Sequence, residues 1–145
     1  MMITLSPLVK DNWIECIGLK VRPEQQDFVA TNLYSIAQSK ADQSLIPMAI
    51  YNSEVMVGFT MYGRDPEDGR YWIVRLMIDE RYQGNGYGKQ AMYKVIALLK
   101  QEEDCTDIYL SHKPDNIYAD TLYRKLGFKN TGEIVGGEVI KRLSL

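Results

Sequence analysis

Residues 70–99 read RYWIVRLMIDERYQGNGYGKQAMYKVIALL, and this stretch decides how the rest of the chain is read. An apolar strand pattern ends at Asp79, a turn carries Gly84, Gly86 and Gly88, and Met92, Val95, Ile96 and Leu99 then recur at helical spacing. The order is strand, glycine turn, helix. Alternating glycines let a backbone approach a ligand closely and turn its amides inward. A helix start directly behind them adds unpaired N–H groups and the positive end of the helix dipole. That combination suits a phosphate.

Two familiar phosphate loops fail on spacing. A Walker A loop needs glycine at 83 and serine or threonine at 90, where the chain has Gln83 and Gln90. The dinucleotide fingerprint counted from Gly84 needs glycine at 89, which is Lys89. From the glycines alone, a plain turn that starts a helix stays open beside a phosphate cradle.

Composition narrows the partners. A length of 145 residues predicts a single domain, residues 1–145, with 46% apolar and 25% charged residues as in ordinary globular proteins. A formal charge of −2 gives no basic footprint for nucleic acid and suits a cationic small molecule better. Two distant cysteines, Cys16 and Cys105, and the lone His112 predict neither a zinc site nor a disulfide framework. The opening residues MMITLSPLVKDN lack a secretory pattern and no apolar run nears membrane-spanning length, so the expectation is a cytoplasmic protein without a membrane partner.

Outward from the central stretch, Ile3–Leu8 reads as a strand. Asp11 or Asn12 can cap a helix carrying Trp13, Ile14, Ile17 and Val21, which stops before Pro23. A second helix is predicted from about Glu24 to Lys40, with Phe28, Val29, Leu33, Ile36 and Ala37 as its stripe. Its first turns carry Glu24 and Asp27, as dipole-complementing acids or as an amine-binding lip. Residues 47–51 and 55–62 form a hairpin that continues through the polar turn 64–69 into the organising strand, an antiparallel meander. The acidic run 102–104 reads as a solvated turn, and residues 107–111 as a strand parallel to the organising one. A helix over 116–126 stops at Gly127, and two strands turn at Gly136–Gly137. The fold class is mixed α/β.

Two motifs carry a family resemblance. Gln83-Gly84-Asn85-Gly86-Tyr87-Gly88 resembles the Q/R-x-x-G-x-G/A pyrophosphate motif of the GNAT acetyltransferases. Asn116-x-x-Ala119-x-x-Leu122-Tyr123-x-Lys125-x-Gly127-Phe128 resembles their N-x-x-A-x-x-L-Y-x-K-x-G-F segment. The likeness covers almost the whole chain. Residues 57–63 (VGFTMYG) and 72–89 (WIVRLMIDERYQGNGYGK) look like the diamine, spermidine and spermine N-acetyltransferases of that superfamily.

The resemblance implies a GNAT-like acyl-CoA N-acyltransferase fold: a largely antiparallel sheet with one splayed parallel strand pair and flanking helices. It implies acetyl-CoA as cosubstrate, with pantetheine along Leu76, Met77 and Ile78 and pyrophosphate on the amides of residues 84–89. Lys89 and Lys125 would add phosphate charge, and Asn116 and Ala119 would lie beside the pantetheine arm. Tyr123 would be the general acid at the thioester sulfur. The acceptor would be a primary amine, with a polyamine such as spermidine or spermine first and another small amine or a protein amine as the alternative. A non-catalytic acyl-CoA sensor would not need Tyr123. Many relatives are dimers, so a homodimer is compatible with the resemblance. Where polyamine enzymes often carry a carboxylate before the pantetheine contacts, this chain has Val74 and Arg75, which leaves Glu24, Asp27 or a water as the base.

Overall fold

The computed structural model describes residues 2–145. Its strands are β1 (Ile3–Pro7), β2 (Leu45–Asn52), β3 (Val55–Arg64), β4 (Tyr71–Ile78), β5 (Asp107–His112), β6 (Lys129–Val135) and β7 (Glu138–Ser144). The helices are α1 (Trp13–Gly18), α2 (Asn32–Ala41), α3 (Tyr87–Lys100) and α4 (Ile117–Lys125), with single 3₁₀ turns at Pro23–Gln25 and Glu80–Tyr82. One sheet runs β1-β2-β3-β4-β5-β7-β6. Every neighbouring pair is antiparallel except β4 and β5. The meander of β2, β3 and β4 and the Gly136–Gly137 turn agree with the sequence reading.

Each sheet face buries a different part of the pattern. Met92, Val95, Ile96 and Leu99 of α3 pack with Ile73, Ile108, Leu110 and Phe128 on one face. Cys16 and Leu19 pack with Phe59, Met61 and Met77 on the other. Burial pushes the Cys16 thiol up to about 12, so this residue behaves as a small apolar one.

The second helix is the main departure from the sequence expectation. It begins at Asn32 because the Thr31 hydroxyl accepts the Tyr34 N–H and caps it there. Glu24 and Asp27 therefore lie on the preceding turn and loop, away from any helix dipole of α2. Its buried face is polar, Asn32 and Ser35, while Leu33 of the expected stripe is exposed. Asn32 Nδ2 donates to the Cys16 carbonyl at 2.9 Å, which joins α1 to α2 and satisfies a buried amide. Asn12 does not cap α1; its side chain bonds Val9 N and the Pro7 carbonyl instead. Asp104 of the acidic run is also engaged, accepting from the Tyr71 hydroxyl at 2.6 Å and from Arg64 at 2.9 Å. Among the described residues no helix is long and apolar enough to cross a membrane.

The feature that shapes the site is where β4 stops pairing with β5. The parallel ladder holds only Tyr71 with Ile108 and Trp72 with Tyr109. Just beyond, the pairing of β3 with β4 shifts so that Val74 lies between the partners of Tyr62 and Met61. Such a bulge bends and twists its strand, here at the point where β4 leaves β5. On its other side β4 runs so close to β3 that a Cβ on Gly58 would overlap the Met77 carbonyl oxygen. Gly58→Ala is therefore expected to lower the unfolding free energy by about 3 kcal/mol, measured by urea denaturation.

Candidate active site

Past Trp72 the free edge of β4 faces a cleft of about 1380 Å³, and Leu76, Met77 and Ile78 all line it. Their opposite edge is paired with Thr60, Phe59 and Gly58 of β3. One of the motif residues closes part of this edge from within: Gln83 Nε2 donates to the Ile78 carbonyl at 2.9 Å and to Gln25 Oε1 at 2.8 Å. Gln83 thus ties the glycine loop to the Pro23–Gln25 turn.

The loop takes its shape from two glycines in the left-handed region, Gly84 with φ 84° and Gly86 with φ 79°, the latter capping α3. A side chain at either would be strained. Gly84, Gly86, Tyr87 and Gly88 line the cleft. The first amides of α3 have no partner four residues back, so the cleft meets a helix start rich in unpaired donors. Asn85 turns its amide back to the Tyr82 carbonyl, and Lys89 is exposed outside the lining.

Asp79 anchors the root of this loop and is only 2% exposed. Its carboxylate accepts from Lys20 N at 3.0 Å, Arg81 N at 3.0 Å and Arg81 Nε at 2.8 Å. Burial alone would raise its pKa. The hydrogen bonds from the Arg81 guanidinium and the two amides outweigh that and hold it below the usual carboxylate range.

From the other wall, α4 presents Asn116, Ala119 and Tyr123 to the cleft, whereas Lys125 is exposed outside the lining. Asn116 Oδ1 accepts the Ala119 N–H at 3.2 Å and caps the helix. The Tyr123 ring packs edge-on against Phe128 at 6.1 Å and tilted against His112 at 6.2 Å. Burial, with a smaller contribution from Tyr118, pushes its phenol up to about 12. The hydroxyl is therefore protonated at neutral pH. Behind it, Asp120 accepts from the fully buried Lys141 at 2.7 Å and from Arg124 at 3.0 Å, fastening α4 to β7.

The opposite face of the sheet forms the remaining end of the cleft. Arg75 is half-buried there, donating to the Val74 carbonyl and to Gln38 Oε1 of α2, each at 3.0 Å. Its Nε has no acceptor among the described residues. Burial lowers its pKa, opposed by Tyr34 and by Glu138. Six carboxylates, on residues 24, 27, 42, 65, 67 and 138, line the cleft against three formal cations, on residues 22, 75 and 113. Tyr34 lines the cleft with Tyr82, Tyr87, Tyr118 and Tyr123, while Tyr62 and Tyr71 are core residues. Sequence reasoning missed Glu138, since its place depends on β7 inserting between β5 and β6. It also missed the grip of Asp79 on the loop and the pairing of Lys141 with Asp120.

A sheet that opens between two parallel strands beside a glycine-capped helix is the architecture of an acyl-CoA-dependent acyltransferase. The model of the acetyltransferase (GNAT) family matches residues 7–128, and the chain belongs to that family. It is 34% identical over 140 residues to a spermine/spermidine N(1)-acetyltransferase of Bacillus subtilis, an alignment that spans 92% of each chain. Among solved structures it is similar in fold to an aminoglycoside acetyltransferase in complex with coenzyme A (TM-score 0.81, 16% identity, 99% of this chain and 95% of that one). It is likewise similar to the PaiA N-acetyltransferase of Thermoplasma acidophilum in complex with coenzyme A (TM-score 0.71, 16% identity, all of both chains).

Asp79→Ala is expected to cost about 2 kcal/mol of stability, because it leaves the Lys20 and Arg81 amides without their acceptor. The folded-state pKa of Asp79 is depressed, so its contribution is present above the unfolded value of ~3.9 and is lost as pH falls through the folded value. Urea unfolding of parent and variant should differ near neutral pH and converge as pH falls below the ordinary carboxylate range.

Proposed function

We propose that this N-acetyltransferase moves the acetyl group of acetyl-CoA to a primary amine of a polyamine such as spermidine or spermine, with Tyr123 as general acid. The observation that carries the substrate class is the charge of the cleft, six carboxylates against three cations, which favours an acceptor bearing several positive charges. The printed name of the Bacillus subtilis relative supports the same class.

Acetyl-CoA fits the described wall. The free edge of β4 at Leu76, Met77 and Ile78 can pair with the amides of the pantetheine arm as an added strand would. The pyrophosphate fits the amides between Gly84 and the first turn of α3. Lys89 and Lys125, which lie outside the cleft lining, can reach phosphate groups only at its rim.

Transfer then needs orientation more than covalent chemistry. The neutral amine attacks the thioester carbonyl carbon, the C–S bond breaks, and the departing sulfur takes a proton. A phenol raised to about 12 is held in its protonated form at neutral pH and can give that proton without ionising beforehand. Glu24 and Asp27, exposed on the turn and loop before α2, would attract the distal ammonium groups of a long acceptor, and their presence in the cleft lining supports that reading.

Thiol release from acetyl-CoA, measured against spermine, spermidine, putrescine and non-polyamine amines, tests the reading. Spermine and spermidine are expected to give the highest kcat/KM, and turnover confined to non-polyamines would overturn it. Tyr123→Phe is expected to lower kcat by about 100-fold while leaving the Kd for CoA within about twofold. An unchanged kcat would remove the acid role.

A further inference from the structure

Of the six carboxylates in the cleft, Glu138 is set apart by its position. Ser111 and Ile140 are cross-strand partners, and Glu138 lies two residues before Ile140, so Ser111 and Glu138 project from the same face of the sheet. The Ser111 hydroxyl donates to Glu138 Oε1 at 2.9 Å, while Oε2 has no partner among the described residues. Ser111 lies two residues past Tyr109, where the parallel ladder ends. Glu138 is thus held at the mouth of the opening between β4 and β5.

The other acids are less well placed. Glu24, Asp27, Asp42 and Glu67 are exposed, and Asp42 is already bonded to Ser44. Asp65 is half-buried but accepts the Glu67 amide within its own turn. Glu138 is half-buried, with its hydrogen bond coming from the strand that forms the slot.

We infer that Glu138, oriented by Ser111, binds the reacting ammonium group of the acceptor and accepts its first proton. This carboxylate from β7 does the work for which Val74 and Arg75 leave no acid on β4. The inference rests on the amine-acetylation reading above. An alkylammonium must lose two protons to become an amide. The first passes from nitrogen to the Glu138 carboxylate and on to solvent, freeing the lone pair that attacks the acetyl carbon. The second leaves nitrogen once the C–N bond has formed and returns through solvent to the Tyr123 oxygen, replacing the proton given to sulfur. The products are the amide, the free thiol and one proton in solution. The charged and titratable groups lining the cleft around Glu138 are Arg75 on β4, Tyr34 on α2, His112 and Lys113 at the end of β5, and Tyr118 and Tyr123 on α4. Of these Arg75, on β4, is the formal cation across the slot, near enough for Glu138 to act on its charge.

The test compares the parent with Glu138→Gln and Ser111→Ala, using whichever amine the parent acetylates fastest. Glu138→Gln is expected to lose about 100-fold in kcat/KM near pH 7, with CoA affinity unchanged. That deficit should shrink to less than about tenfold near pH 10, where about a quarter of an amine of pKa ~10.4 is already neutral without help, against less than about 0.1% at pH 7. A merely structural defect would be the same at both pH values. Ser111→Ala is expected to lose about fivefold with the same pH dependence, and decides the matter if Glu138→Gln does not fold. Parent-like turnover in Glu138→Gln, or a deficit independent of pH, would overturn the inference while leaving the polyamine reading standing. A parent that favours a non-polyamine amine would remove the polyamine reading and still decide the role of Glu138. A parent that acetylates no amine would overturn both.

Discussion

Strand β4 has two hydrogen-bonded neighbours at its start and one at its end, and the rest of the site depends on that change. Backbone N–H and C=O groups left without a strand partner must meet water, side chains or a ligand. Here Gln83 takes the Ile78 carbonyl, and the remaining edge lines the cleft. The Val74 bulge bends β4 away from β5, and β7 pairs along the whole of β5, so the opening lies between two strands that are each supported on their outer side.

Around this opening the structure fixes groups that would otherwise be mobile. Asp79 ties the end of β4 to Lys20 and Arg81. The Lys141–Asp120 pair fastens α4, and with it Tyr123, to β7. A fully buried lysine carries a desolvation cost that only a well-placed partner offsets, so α4 has one favourable seating on the sheet. The two walls of the cleft are therefore rigid elements, while its acidic loop residues are exposed. That division suits a site that must hold a donor in fixed geometry and admit a long cation.

What was legible in the sequence was local. The glycine loop, the amphipathic α3 and the capped α4 each follow from spacing within a few residues. The family motifs on them led to the mixed fold and the splayed strand pair that the structure contains. The start of α2 was misread because apolar residues over 28–37 suggested a longer helix, whereas the Thr31 cap and the buried Asn32 and Ser35 decide it. The Val74 bulge and the meeting of Glu138 with Ser111 were not legible. Both depend on register between strands distant in sequence, which composition and periodicity do not encode. The lack of an acid at Val74 and Arg75 was legible all the same, and it is the gap that the Glu138 inference is meant to fill.

Backbone amide exchange followed with and without coenzyme A tests the central claim that the free edge of β4 and the start of α3 form the acyl-CoA wall. The account predicts slowed exchange at residues 76–78 and 84–89, with little change in the outer strands β1 and β6. Unchanged exchange in both stretches at saturating coenzyme A, or protection confined to another face of the sheet, would contradict it.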